Sequence, residues 1–258
     1  MTEELVKAEI HEGFAHIHLN RPAKRNALNV EMLTVLVTRL REYASNPAVR
    51  AIVITGNERG FAAGADIGTL GSATAIELFN SGFSENWDQV ASSHKPLIAG
   101  ISSYALGGGL ELALTCDIVI ADKTAIFGLP EASVGVIPGA GGTQRLVRAV
   151  GKSMAMEMIL AGRRLNAQEA KECGLVSTLV GDDETVTARG FSIAAEIAKG
   201  APLAINFAKA AVLHSFESTL SAGIRYERSL SALIAASNDR IEGITAFAEK
   251  RPPEFSGR

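Results

Sequence analysis

Apolar positions along the first half of the chain follow two alternating rhythms. Residues 14–20 (FAHIHLN) set Ile17 and Leu19 in alternation with His16 and His18, as one face of a strand would. Residues 29–44 place Met32, Leu33, Leu36, Leu40 and Tyr43 three or four apart, which predicts an amphipathic helix with Asn29 as its N-cap. Residues 51–55 (AIVIT) are apolar throughout and end at Gly56, the pattern of a strand buried on both faces. Residues 97–102 and 117–121 predict two further strands, and the run LELALTC between them a short helix. Strand–helix alternation of this kind predicts an α/β fold.

From about Lys152 the strand rhythm gives way to helix. Asn166-Ala-Gln-Glu169 and Asp239-Arg-Ile-Glu242 each have the capping-box pattern of a helix start. Gly181, Asp182 and Asp183 punctuate the chain before a helix running towards Lys199, and Pro202 then suits the first turn of another. From Pro202 to Lys250 apolar stripes occupy more than one helical face, so the segment predicts a homo-oligomer that covers them. There is no low-complexity linker and no internal repeat.

Composition narrows the class. With 258 residues, 47% of them hydrophobic, the chain can build one large core, or a core with a smaller appendage. A net charge of −3 offers no basic face for a nucleic acid. The first residues, MTEELVKAEI, lack the basic and apolar regions of a secretory signal, and no apolar stretch reaches the roughly 18 residues of a membrane span. Cys116 and Cys173 lie outside any CxxC pattern and read as free thiols in a reducing, cytoplasmic setting. His11, His16, His18, His94 and His214 read as surface or packing residues, and no metal site is expected.

Chemistry concentrates in three glycine-rich segments: 59–67 (RGFAAGADI), 104–113 (YALGGGLELA) and 127–145, which begins FGLPE and ends GAGGTQR. Glycines after a strand let a ligand approach the backbone, and a glycine run opening a helix leaves N–H groups free for a developing oxyanion. Familiar nucleotide and hydrolase signatures fail. Residues 139–144 miss the last glycine of GxGxxG, Leu146 replaces the first glycine of a Walker loop ending at Ser153, and Tyr104 replaces the last glycine of GxSxG. Two acids stand out instead. Glu111 lies inside the apolar LELAL run and Glu131 follows Pro130 in a neutral stretch, where a carboxylate needs a partner or a raised pKa. They read either as an acid/base pair or as two unrelated helix-start glutamates.

These segments, with NRPAKRNALN (20–29) and AFAEKR (246–251), resemble in order and spacing the motifs of the crotonase (enoyl-CoA hydratase/isomerase) superfamily over nearly the whole chain. The resemblance implies a crotonase-like ββα spiral core over residues 1–199 and a C-terminal helical oligomerisation module over 200–258. It implies an oxyanion hole from the backbone N–H groups of Ala65 and Gly108, holding the thioester carbonyl of an enoyl-CoA. Glu111 matches the water-activating base and Glu131 the proton donor to C2. Gly139 matches a backbone contact near the water. Ala63, Asp66, Ile67 and Gly68 match the wall of the CoA channel; Lys24, Arg25, Phe247 and Lys250 match groups that meet the nucleotide and its phosphates. No metal or redox cofactor is implied, coenzyme A being part of the substrate, and the family's C-terminal helices build homotrimers or dimers of trimers. The alternatives are an enoyl-CoA isomerase, which commonly uses one glutamate, and a non-catalytic RNA-binding relative.

This sequence departs from the pattern at Ser102-Ser103, where the family has Asn-Gly, and that departure is expected to alter a turn. Within the family, FGLPE, MEMILAG and the ending from Asn238 resemble bacterial hydratases of phenylacetate degradation, which act on 2,3-dehydroadipyl-CoA. A short-chain hydratase of β-oxidation is the equal alternative. The segment 68–94 corresponds to the acyl pocket, where Phe79, Phe83 and Trp87 are the candidate lining residues and no Lys or Arg is offered to a dicarboxylic substrate up to Trp87.

Overall fold

The strand expected at 14–20 is β2 (Phe14–Leu19), which pairs antiparallel with an edge strand, β1 (Val6–His11). The computed structural model describes residues 4–57, 59–66, 74, 76–77 and 83–258, without the side chain of Phe83. The apolar run AIVIT forms β3 (Ala51–Thr55), and β4 (Leu97–Ile101) lies beside it, both buried along their whole length. The next strands are β5 (Tyr104–Leu106), β6 (Ile118–Ala121), β7 (Ile126–Gly128), β8 (Leu165–Asn166) and β9 (Thr178–Leu179). The main sheet has the order β1-β2-β3-β4-β6-β9 and is parallel from β2 onward.

A second, smaller sheet takes the order β5-β7-β8. Isolated parallel bridges, Leu28 with Ala65 and Ala62 with Ala105, continue it towards the N-terminus. The chain therefore visits the long sheet and then the short one on successive turns, the ββα spiral of a crotonase-like α/β fold. This second layer aligns the three glycine-rich segments.

Helices cover the main sheet on both faces. Helix α1 (Val30–Ser45) starts at Asn29, whose side chain accepts from the Met32 N–H, and it buries Met32, Leu33, Leu36, Val37, Leu40 and Tyr43. Each such side chain contributes about 1.5–3 kcal/mol of burial. They pack against Ile17, Leu19, Ile52 and Ile54 in the larger core. Helix α2 (Phe83–Ala91) packs on α1, with Trp87 buried in the same core. Lys95 donates to the Tyr43 and Asn46 carbonyls at 2.6 Å and so completes the C-terminal end of α1.

Helices α3 (Gly108–Thr115), α4 (Gly142–Val150), α5 (Lys152–Leu160) and α6 (Ala167–Glu172) follow the spiral. The capping box expected at Asn166 and Glu169 opens α6. The opposite face of the sheet carries α7 (Val186–Ala198), which contacts β2, β3, β4 and β6. Its Gly190 permits the close approach, since a Cβ there would meet Val53 at 2.8 Å.

The last helices are α8 (Pro202–His214), α9 (Leu220–Ile234) and α10 (Asn238–Glu249), with Pro202 in the first turn of α8. Large apolar residues on them face outward, including Leu220, 82% exposed, and Phe247, 88% exposed. One sequence expectation fails here. Asp239 and Glu242 form no capping box; the N-cap of α10 is Ser237, which accepts from the Arg240 N–H. The buried Asp239 carboxylate instead accepts from Ser256 N, Ser256 Oγ and Gly257 N, and Glu242 pairs with Arg251. Asp239 lies within the first turn, past the Ser237 N-cap, so its carboxylate turns to the C-terminal tail instead of capping the helix. Among the described residues no helix is long and apolar enough to cross a membrane. Cys116 and Cys173 are both free thiols.

Candidate active site

Gly107 turns the chain from β5 into α3 with φ +50 and ψ −128, a combination that favours glycine. The turn leaves the first N–H groups of α3 without helical partners. Among the described residues no carbonyl accepts from the N–H of Gly108 or of Ala65. The two groups are neighbours: a Cβ on Gly108 would lie 3.2 Å from the Ala65 nitrogen. Close packing of the second layer holds them there, since a Cβ on Gly109 would meet the Ala62 carbonyl oxygen at 2.1 Å.

Both glutamates reach this turn. Glu111, on the first turn of α3, is 4% exposed. Its Oε1 accepts from Ala140 N at 2.7 Å and Gly142 N at 2.8 Å. Burial pushes its pKa up, and these two N–H donors and the nearby Arg145 guanidinium oppose that shift. Gly142 is required for the contact, since a Cβ there would come within 2.9 Å of Glu111 Oε1.

Glu131 opens a short 3-10 turn (Glu131–Val134) after β7. Its Oε1 lies 3.0 Å from where a Cβ of Gly107 would be, so the carboxyl sits beside the oxyanion turn. Its Oε2 is buried with no hydrogen-bond partner among the described residues. Burial, helped by the charge on Glu111 and opposed by a backbone hydrogen bond, pushes Glu131 up to about 7. The site thus holds one carboxylate fed by backbone donors and one carboxyl that tends to keep its proton near neutrality.

The sequence of the chain from Glu9 onward matches a known pattern as a whole. The profile of the enoyl-CoA hydratase/isomerase family covers residues 9–258. The chain belongs to the enoyl-CoA hydratase/isomerase family. A 2,3-dehydroadipyl-CoA hydratase of Escherichia coli (strain K12) is 47% identical, over 93% of this chain and 94% of its own. A mitochondrial enoyl-CoA hydratase of Pongo abelii is 45% identical, over 93% of this chain and 82% of its own. The crystal structure of an enoyl-CoA hydratase from Bacillus anthracis superposes with a TM-score of 0.93 at 35% identity, covering 99% of this chain and 100% of that one.

Other residues matched to this family lie in different parts of the chain. Ala63 and Asp66 join the site segment to the 20–28 loop: Ala63 N donates to the Arg25 carbonyl, Asp66 N donates to that of Leu28, and the Asp66 carboxylate pairs with Arg21 at 2.8 Å. Lys24 and Arg25 are exposed on the same loop, and neither side chain has an ion pair among the described residues. Gly139 is exposed in the loop just before the two donors to Glu111. Phe247 and Lys250 lie on α10 and its C-cap, and no described hydrogen bond or ion pair ties them to the glutamates. Ile67, Gly68, Phe79 and the Phe83 side chain lie outside the described residues, while Trp87 belongs to the core.

Sequence reasoning missed Arg21, Arg145 and the donors Ala140 and Gly142. The only signal for the donors was the GAGGT run itself, which marks a tight loop without saying which N–H groups face Glu111. Ser103 adopts φ +59, the left-handed conformation that the Asn-Gly of the family pattern accommodates more readily.

Proposed function

We propose that the protein is an enoyl-CoA hydratase, a hydro-lyase that adds water syn across the C2=C3 bond of a trans-2-enoyl-CoA to give the 3-hydroxyacyl-CoA. The observation that carries this reading is the unequal pair, Glu111 held by two N–H donors and Glu131 with an unpartnered buried oxygen, beside the free N–H groups of Ala65 and Gly108. The thioester oxygen accepts from those two N–H groups. Glu111, as carboxylate, takes a proton from water while the water oxygen bonds to C3. The C2=C3 electrons move onto the thioester oxygen, and the enolate then takes a proton at C2 from Glu131. One water has been added, and the two carboxyls recover their states by proton exchange with solvent. A reaction needing a single glutamate, as in isomerisation, leaves the second acid without work.

The CoA handle is met by Lys24 and Arg25 on the 20–28 loop, with Ala63, Asp66 and Gly139 along the channel. Coenzyme A arrives as part of the substrate, and the reaction uses no metal or redox cofactor. The exposed apolar faces of α8, α9 and α10 support a homotrimer or dimer of trimers, in which Phe247 and Lys250 approach the nucleotide. The acyl group is either that of 2,3-dehydroadipyl-CoA, for which one relative is named, or a short chain of the β-oxidation type.

The test follows loss of the conjugated enoyl-thioester absorbance with crotonyl-, hexenoyl-, decenoyl- and 2,3-dehydroadipyl-CoA. Saturable hydration of at least one substrate is expected, and the ranking of kcat/KM identifies the acyl group. Absence of turnover with all four contradicts the reading.

A further inference from the structure

A second cluster of chemistry lies on the β1–β2 hairpin, built from residues that the hydration reaction does not use. The antiparallel register sets Glu9 directly opposite His16, and His11 follows two residues along β1 on the same face as Glu9. Glu9 Oε1 lies 3.2 Å from His16 Nδ1 and 3.6 Å from His11 Nε2, and all three ligand atoms fall within 4.8 Å of one another. A tetrahedral zinc ion with bonds of about 2.0–2.1 Å sets its ligand atoms roughly 3.3–3.4 Å apart. We propose that Glu9, His11 and His16 form a binding site for a divalent transition-metal cation of the zinc class.

Hydrogen bonding around the cluster supports this donor set. His16 Nε2 lies 2.8 Å from Thr55 Oγ1, and that hydroxyl lies 3.3 Å from His18 Nδ1. A chain in which His16 Nε2–H donates to Thr55, and Thr55 donates to His18, satisfies both contacts. In that tautomer the lone pair of His16 Nδ1 faces the Glu9 carboxylate and can ligate a cation; in the other, Nδ1–H donates to Glu9 Oε1 at 3.2 Å, and a bound cation takes the place of that proton. Donation of the remote ring N–H to a fixed acceptor is also what orients a metal-bound histidine. The second observation is His11 Nε2, a buried nitrogen without a hydrogen-bond partner among the described residues, turned towards the same carboxylate.

The rings are fixed before any ion arrives. His11 stacks on Phe14 at 4.9 Å between centroids and meets Phe191 of α7 at 4.6 Å; His16 meets Phe191 edge-on at 5.0 Å. Glu9 is the exposed member, with 63% of its side chain open, and provides the way in. Two imidazoles, one carboxylate and no thiolate suit Zn2+ in preference to Ca2+ or Mg2+, which favour all-oxygen sets. Three protein ligands leave the fourth position to water. The cation would join the edge of the main sheet to α7.

The experiment strips the full-length protein with a chelator, removes the chelator, and titrates Zn2+ alone by equilibrium dialysis. Co2+ substitution then reports geometry through its visible absorption. One Zn2+ per chain, an intense tetrahedral Co2+ band and a raised melting temperature are expected. Glu9→Gln and His11→Gln, both at the rim of the cluster, should each weaken binding on the order of 100-fold while leaving crotonyl-CoA turnover unchanged. Substoichiometric zinc in the wild type, or wild-type affinity in the Glu9→Gln/His11→Gln double variant, overturns the proposal. Circular dichroism of each variant separates loss of a ligand from loss of the fold.

Discussion

At Gly108 the absence of a side chain is itself a functional group. An added Cβ would sit 3.2 Å from the Ala65 nitrogen, close enough to push that N–H aside, although the helical backbone at Gly108 suits alanine. Gly108→Ala is therefore expected to lose about 10²–10³-fold in kcat/KM for an enoyl-CoA, with only a small fall in melting temperature. Unchanged turnover would remove Gly108 from the oxyanion site. Glu131 gives a prediction of the opposite kind. Its folded pKa of about 7 lies above the ordinary 4.5, so its contribution to stability is complete below 4.5 and is lost as the pH rises through about 7. Glu131→Gln, which cannot ionise, should raise the melting temperature relative to wild type at pH 8, with the gain shrinking towards pH 5. A pH-independent difference would mean that burial does not hold the proton. The same residues mark the limit of the sequence: it offered two suspicious acids, but the donors from Ala140 and Gly142 that make them unequal come from a loop with no period to read.

Among the elements, legibility followed periodicity. Helix α1 was readable because Asn29 caps a stripe that keeps its spacing for about three turns, and β3 because a run of four apolar residues and Thr55, rich in β-branched side chains, is too short for a helix and ends at Gly56. The second sheet was not readable. β5 and β7 have three residues and β8 two, too few to display alternation, and their positions follow from the spiral. The Glu9–His11–His16 cluster was hidden for a related reason, since only the hairpin register brings position 9 against position 16. The second capping box was misread because a local motif says nothing of a tail that returns to it. Asp239 holds that tail through three hydrogen bonds. Asp239→Ala should cost about 2–3 kcal/mol in urea unfolding, because buried donors lose a charged acceptor, and should expose the last residues to protease. A change under about 0.5 kcal/mol would show that the tail is held by other contacts.

For the whole molecule, the balance of core and surface implies a partner. The spiral buries its own helices, but Leu220, Leu233, Ile241 and Phe247 stay 61–88% exposed on the C-terminal helices. The homo-oligomer proposed above would cover them. Light scattering coupled to size exclusion should give a mass above one chain, and Leu220→Asp with Leu233→Asp should shift it towards the monomer. If Phe247 and Lys250 serve a neighbouring site, that monomer will lose affinity for acyl-CoA more than kcat. A wild type that is already monomeric would contradict the oligomer. The central claim is the division of labour between the two glutamates, and it is tested most directly by crotonyl-CoA hydration in wild type, Glu111→Gln and Glu131→Gln at neutral pH. The account predicts a loss of about 10²–10⁴-fold in kcat for each variant, with the fold intact. Full activity in either variant would contradict it.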